Sequence, residues 1–261
     1  MNRKEGVSLD RRQIFFSAPI PASREWDAGL LSEIAIEDSG EPLVPVSLLP
    51  ERILVRSQYF LQGLPGSMPE CFLRRRVFDK LAEASDLLPK GYRFVVFDGW
   101  RAPSLQKHLF RILEGEIASA VPDMDEEELS ARTSQYVARP SVSPANPSPH
   151  LTGGAVDLGI ADAMGAMLDM GSSFDETSAI SETSYYEKLL AGRELSPLEE
   201  RALRNRRFLF HVMTSVGFTN YPDEWWHYDF GNQNWVWATS SGGNAKYGIA
   251  YPDMRWKREF D

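Results

Sequence analysis

Apolar positions recur at helical spacing in several stretches of this chain, separated by short apolar runs and proline-rich breaks. Leu73, Val77, Leu81, Ala84 and Leu88 repeat every three to four residues, and Pro89 and Gly91 end the pattern. The spacing predicts an amphipathic helix that stops before residue 89. The run YRFVVFD at 92–98 is compact and β-rich and reads as a central strand. Leu105, Leu109, Ile112 and Leu113 fall on one face of a second helix, from 103 to about 117. The acidic stretch DMDEEELSARTSQYVA reads as a third helix that begins near Asp123.

The longest helix announces its own start. Ser196-Pro197-Leu198-Glu199 matches a capping box with proline at the first helical position. The pattern then runs through Leu203, Phe208, Phe210 and Val212 to a stop at Gly217. GFTNYPDEWWHYDF follows as a turn into a strand, and AVDLGI, at 155–160, is a second strand-like run. Between these regular pieces lie breaks. Residues 139–149 hold four prolines in eleven residues, which reads as an extended surface loop rather than regular structure. Pro42, Pro45 and Pro50 suggest short edge strands and turns in 34–53. Residues 1–30 are poorly periodic and read as an N-terminal arm, with 31–261 as one domain. Helices and short strands mix without regular βαβ alternation, which is an α+β pattern.

Composition narrows the class. The chain has 261 residues, 43% hydrophobic and 25% charged, the balance of a globular protein with a real core. Lys and Arg number 28 against 37 Asp and Glu, a formal charge of −9. An acidic surface repels phosphate backbones, so nucleic acid is not the expected partner. A single cysteine, Cys71, excludes an internal disulfide and argues against a thiolate metal site. No apolar run approaches the roughly 18 residues of a membrane span. The opening MNRKEG leads into SLDRRQ rather than an apolar segment, so the expected location is cytoplasmic.

Four histidines are available for chemistry: His108, His150, His211 and His227. His108 and His211 sit inside helical patterns and read as a solvated and a packed, hydrogen-bonded histidine. His150 and His227 stand in turn-rich stretches beside carboxylates. In SPHLTGGAVDLGI, His150 and Asp157 are seven apart, and Gly153 and Gly154 permit the turn that brings both to one side. Asp157 lies in an apolar run and needs a cation there. In DEWWHYDF, Glu224 falls in the turn and His227 in the strand; a core aromatic strand with incidental polar residues is the plainer reading. Two histidines and one carboxylate suit a catalytic Zn²⁺ with an open position, and equally a non-haem Fe(II). Glu224 is then left over as a base for water. The absence of H-E-x-x-H excludes a zincin. In FDGWRAP, Arg101 stands at a strand end, placed either to donate to a developing oxyanion or to pair with Asp98.

FDGWRAP, SPHLTGGAVDL, MGSSFD and GFTNYPDEWWHYDF stand in the order and at the spacings of a known family. From about Phe72 to about Phe230 the sequence resembles the zinc D-alanyl-D-alanine dipeptidases of vancomycin-resistance type. The resemblance implies the hedgehog/DD-peptidase fold, a single α+β domain with a small, mostly antiparallel central sheet flanked by helices. It implies one Zn²⁺ per chain held by His150, Asp157 and His227. Glu224 would be the general base and later the acid for the leaving amine, and Arg101 would stabilise the tetrahedral intermediate. Asp175, in MGSSFD, would hold the substrate's free ammonium group, with the backbone at Ser148 beside it. The family's tyrosine and Asn-Phe-Thr-Gly stretch are replaced here by VRSQYFLQGLPGS, in which Tyr59 is the candidate for the tyrosine. The implied partner is a small dipeptide, and no oligomeric state is indicated. Trp225 and Trp226 would wall the pocket or pack in the core. The alternatives are a D,D- or L,D-carboxypeptidase or endopeptidase on cell-wall peptides, and a non-catalytic zinc-binding module of the same fold.

Overall fold

The computed structural model describes residues 9–24, 26–134, 137 and 139–253. Its strands are β1 (Leu43–Pro45), β2 (Ile53–Val55), β3 (Phe72–Arg74), β4 (Arg93–Asp98), β5 (Val142–Ser143), β6 (Asn146–Pro147), β7 (Ala155–Ala161), β8 (Thr219–Asn220) and β9 (His227–Asp229). The central sheet has the order β2-β4-β7-β9-β8. β2 runs parallel to β4, and the other three pairings are antiparallel. Every residue of β7 is buried. That is why AVDLGI is a continuous apolar run rather than an alternating one: both faces of the mid-sheet strand are covered.

The helices are α1 (Leu9–Ser17), α2 (Ala28–Ser32), α3 (Gln58–Leu61), α4 (Arg75–Ser85), α5 (Pro103–Ala120), α6 (Glu126–Thr133), α7 (Tyr185–Gly192), α8 (Pro197–Ser215) and α9 (Gln233–Thr239). Val77, Leu81 and Ala84 of α4 join Phe208, Leu209, Val212 and Met213 of α8 in one buried cluster with the sheet. The capping box is formed: the Ser196 hydroxyl accepts from the Glu199 N–H, and the Glu199 carboxylate accepts from the Ser196 N–H at 2.8 Å. Gly217, at φ +100°, ends that element. The fold is α+β, a mostly antiparallel sheet flanked by helices.

Some boundaries differ from the pattern. Leu73 belongs to β3 and not to a helix, because its backbone pairs with Val44 of β1; α4 starts two residues later. Residues 139–149 are not wholly irregular. Val142 pairs with Pro147 and Ser143 with Asn146 in a short hairpin, so the segment is a strap folded on itself. Within the stretch read as an arm, α1 lies on α8. Phe16 stacks on Phe208 at 4.2 Å, and the His211 ring nitrogen Nε2 donates to the Ala18 carbonyl at 3.0 Å. Residues 1–8 and Glu25 of that stretch lie outside the described residues. Among the described residues no helix is long and apolar enough to cross a membrane.

Candidate metal centre and substrate cavity

Sheet register assembles the centre. Asp157 of β7 lies opposite His227 of β9 and, beyond a bulge between Val96 and Asp98, opposite Asp98 of β4. Directly paired residues on adjacent strands face the same side, so three polar side chains meet at one level of an apolar sheet. His150 arrives from outside the sheet, on the helical turn Pro149–Thr152. Gly153 closes that turn at φ +71°, and a Cβ there would lie 2.2 Å from Leu43 Cδ2. Buried Arg74 holds the turn in place. Its N–H donates to the Gly153 carbonyl at 2.9 Å and its Nε to the Thr152 carbonyl at 2.8 Å.

One donor atom each from His150, Asp157 and His227 lies within 4.8 Å of the others, and all three residues are buried. His150 Nδ1 sits 2.7 Å from the Gly99 carbonyl. A carbonyl only accepts, so Nδ1 carries the proton and Nε2 turns its lone pair to the cluster, 3.3 Å from Asp157 Oδ2. Gly99 is itself required, since a Cβ at that position would meet the Phe72 carbonyl at 2.7 Å. On His227 the roles of the nitrogens reverse. Nε2 donates to Asp229 Oδ2 at 3.1 Å, which leaves Nδ1 facing Asp157 Oδ1 at 3.1 Å. Asn232 and Asn234 donate to Asp229 and keep it an acceptor. Each candidate histidine ligand thus has a partner that fixes its tautomer, as metal-binding histidines require.

The fit to a cation follows from the one group left over. Asp157 Oδ1 is buried without a hydrogen-bond partner, and with Nε2 donating to Asp229 a neutral His227 would oppose it with a second lone pair. Two lone pairs at that distance repel unless a cation or a proton lies between them. Burial lowers the affinity of His227 for a proton, yet Asp229 and Asp157 overcome this and raise its pKa well above the ordinary value. Burial likewise pushes the Asp157 pKa up, and His150 and His227 outweigh it, holding the carboxyl below the usual carboxylate range. The residues present fit a tetrahedral metal with three protein ligands and an open position.

The other residues singled out in the sequence lie around this cluster. Glu224 is in the turn before β9, with Oε2 3.6 Å from His227 Nδ1. Burial raises its pKa to about 8, with Asp157 and Asp175 adding and His227 opposing; a cation at the cluster works against that shift. Arg101 does pair with Asp98, Nε to Oδ2 at 2.7 Å, and it also reaches the centre. Nη1 donates to Gln106 at 2.9 Å, while Nη2 makes its two longer bonds, 3.3 Å to Asp157 and 3.4 Å to the Tyr59 hydroxyl. The Tyr59 hydroxyl in turn donates a hydrogen bond to Asp175 Oδ1 at 3.2 Å. Asp175 has φ +66°, an uncommon conformation for a side-chain-bearing residue and one that marks functional turns. Although Asp175 is exposed at the cavity wall, the partial loss of solvent around it raises its pKa, against the pull of Arg101. Ser148 is buried, and its N–H and Oγ are both engaged with Ser141. Trp226 lines the cavity, whereas Trp225 packs in the core with its indole N–H on Ser172 Oγ at 2.9 Å.

Four positioning groups went unread in the sequence: Asp229, the Gly99 carbonyl, Arg74 and Arg206. Arg206 of α8 is fully buried and donates to the carbonyls of Met170, Ile180 and Glu182 at 2.6–2.7 Å. It therefore grips both ends of the loop that carries Asp175. Ser181 joins this loop to the Glu224 turn, its hydroxyl donating to the Asp223 carbonyl at 2.8 Å and its carbonyl accepting from Trp225 N–H at 3.0 Å. The cavity between these walls has a volume of about 390 Å³, in the range of small-molecule sites.

Comparison with known proteins places the chain in a family. A D-alanyl-D-alanine dipeptidase from Synechocystis sp. is 32% identical over 232 residues, covering 84% of this chain and 93% of that protein. A D-alanyl-D-alanine dipeptidase from Escherichia coli (strain K12) is 30% identical over 160 residues, covering 61% of this chain and 66% of that protein. A solved structure of a mutant vancomycin-resistance D,D-pentapeptidase VanY, in complex with Zn(II), matches 82% of this chain and 97% of its own at 16% identity, with a TM-score of only 0.38. The peptidase M15 model, described as D-Ala-D-Ala dipeptidase, matches residues 67–244, a span that runs from before Arg101 to beyond His227. The chain belongs to the peptidase M15 family of D-Ala-D-Ala dipeptidases.

Proposed function

We propose that this chain is a zinc-dependent dipeptidase that hydrolyses free D-alanyl-D-alanine or a closely related dipeptide, with one Zn²⁺ held by His150, Asp157 and His227. The observation that carries the reading is the convergence of His150, Asp157 and His227 in a buried three-residue cluster, with Asp157 Oδ1 facing His227 Nδ1 at 3.1 Å. When bound, zinc supplies a Lewis acid that lowers the pKa of water and polarises a carbonyl.

This chain's own residues do the rest. Glu224 takes a proton from the attacking water and returns it to the departing amine, so that water is split across the peptide bond and no covalent enzyme intermediate forms. Arg101 donates to the carbonyl oxygen as charge develops there. Nη2 is the nitrogen suited to that work, because its bonds are the two longest the guanidinium makes, 3.3 and 3.4 Å. Asp175 receives the substrate's ammonium group, and the Tyr59 hydroxyl keeps its carboxylate turned into the cavity. Trp226 lines the cavity, backed by Phe174 with ring centres 5.4 Å apart, and contributes an apolar wall that limits water.

The test is release of free D-alanine from D-Ala-D-Ala, with L-Ala-L-Ala and N-acetyl-D-Ala-D-Ala run alongside, each with and without a chelator. The expected result is chelator-sensitive cleavage of the free D,D-dipeptide and rejection of the N-acetyl compound. Cleavage of the N-acetyl compound at a similar rate would contradict the role of Asp175 and favour a carboxypeptidase.

A further inference from the structure

A free dipeptide carries two charges, and the residues above account for only one of them. Among the described residues, the cationic side chains lining the cavity, apart from the candidate ligand histidines, are Arg101 and Arg139. Arg101 is buried, with its nitrogens bonded to Asp98, Gln106, Tyr59 and Asp157. Arg139 is different. It is exposed, and its Nε donates to Ser134 Oγ at 2.9 Å. Neither Nη group has a hydrogen-bond or ion-pair partner among the described residues.

The arginine is nonetheless held in place. Its carbonyl accepts from Ser148 Oγ at 3.3 Å, and the same Oγ accepts from the Ser141 N–H at 3.0 Å. The Ser148 N–H donates back to the Ser141 carbonyl at 3.2 Å. Pro140 restricts the backbone of the residue before it. Arg139 is thus fixed at its backbone and at Nε, on the strap that leads directly to His150, and it lines the cavity with a fork whose geometry matches a carboxylate.

We propose that Arg139 is a specificity-determining residue that binds the terminal carboxylate of the substrate. This rests on the dipeptidase reading above and deepens it. Asp175 takes the ammonium end and Arg139 the carboxylate end, so both termini must be free and the substrate is limited to two residues. A further residue at the carboxyl end would carry the charge beyond the guanidinium and leave an amide in its place. It also gives Ser148 a reason to be buried: its hydroxyl holds Arg139 in register with His150.

The experiment compares D-Ala-D-Ala with D-alanyl-D-alanine amide for the wild-type chain, Arg139→Met and Arg139→Lys, with melting temperature and zinc content measured on each. Arg139→Met is expected to lower kcat/KM for the free acid by roughly 10- to 100-fold, through KM, the loss of a charge-assisted pair. For the amide the expected loss is under about threefold, since no carboxylate is present to lose. Arg139→Lys keeps the charge without the fork and should recover part of the loss. Equal effects on acid and amide, or no effect on either, would overturn the proposal while leaving the dipeptidase reading intact. Failure of the wild-type chain to cleave either compound would overturn both.

Discussion

His150 and His227 turn different nitrogens toward the cluster, and what fixes the choice is the partner behind each ring. The Gly99 carbonyl holds His150 by Nδ1, and Asp229 holds His227 by Nε2. Asp229→Ala removes the second partner and frees the His227 ring to rotate or change tautomer. We expect the affinity for zinc to fall about 10- to 100-fold, measured by competition with a chromophoric chelator, with the far-UV spectrum unchanged. The three candidate ligands were legible in the sequence, because a carboxylate in an apolar run and histidines beside glycines and turns are exceptions to their surroundings. Their supporting partners were less so. Asp229 does leave a trace, as the second residue after His227 in HYD, on the same side of a strand. The Gly99 carbonyl leaves none, since any residue carries one and only the fold brings it to His150. Arg101 was readable as an ion pair with Asp98 or as a site residue, and in the structure one guanidinium spans both.

At the scale of elements, the site hangs on two irregular segments pinned by arginines. Arg74 secures the turn carrying His150, and Arg206 secures the loop carrying Asp175. Arg206 has no ion-pair partner among the described residues; carbonyl oxygens and the Tyr186 ring, 4.8 Å from its Cζ, surround it. That burial pulls its pKa down to about 10, still a cation at neutral pH. Arg206→Met leaves three carbonyls without their donor and should cost at least about 3 kcal/mol, read as a lowered midpoint in urea. In whatever fraction remains folded, KM for a free dipeptide should rise more than kcat falls, because Asp175 loses its setting before the metal cluster does. The regular elements were read well where the pattern was long or capped. α5 and α8 began where proline and the capping box placed them, and β4 and β7 emerged from their apolar runs. α9 was missed because QNWVWAT is short and rich in aromatics that favour strands. Leu73 was misread because its apolar spacing suits a helix, while its backbone pairs with β1.

Over the whole molecule, the N-terminal segment is tied to the C-terminal half. The Ile20 N–H donates to Glu187 Oε1 at 2.8 Å, and Arg207 pairs with both Glu187 oxygens at 2.7 Å. Burial raises the Glu187 pKa, but Arg207, the Ile20 N–H and His211 outweigh it and hold it below the ordinary 4.5. A depressed carboxylate stabilises the fold above its unfolded pKa, and that contribution is lost as pH falls through the folded value. Glu187→Gln should therefore be less stable than wild type by about 1–2 kcal/mol near neutrality. The gap in melting temperature should narrow as the pH drops below the usual glutamate range. This docking was not readable beforehand, because LDRRQIFFS has little amphipathic pattern and its partners stand about 170–200 residues away, as |i−j| is 167 for Ile20–Glu187 and 193 for Ala18–His211. The α+β class was legible in the irregular order of helices and strands. The parallel pairing of β2 with β4 was not, since three residues of edge strand carry no sign of direction.

The most direct measurement of the central claim is a zinc titration of metal-stripped protein, with D-alanine release from D-Ala-D-Ala followed at each addition. Activity should rise linearly and level off at one equivalent. Glu224→Ala should take up the same equivalent while turning over roughly 10²- to 10⁴-fold more slowly, and His150→Ala should neither bind nor cleave. Full activity in the stripped protein, or a His150→Ala variant that still holds one equivalent and cleaves, would contradict the account.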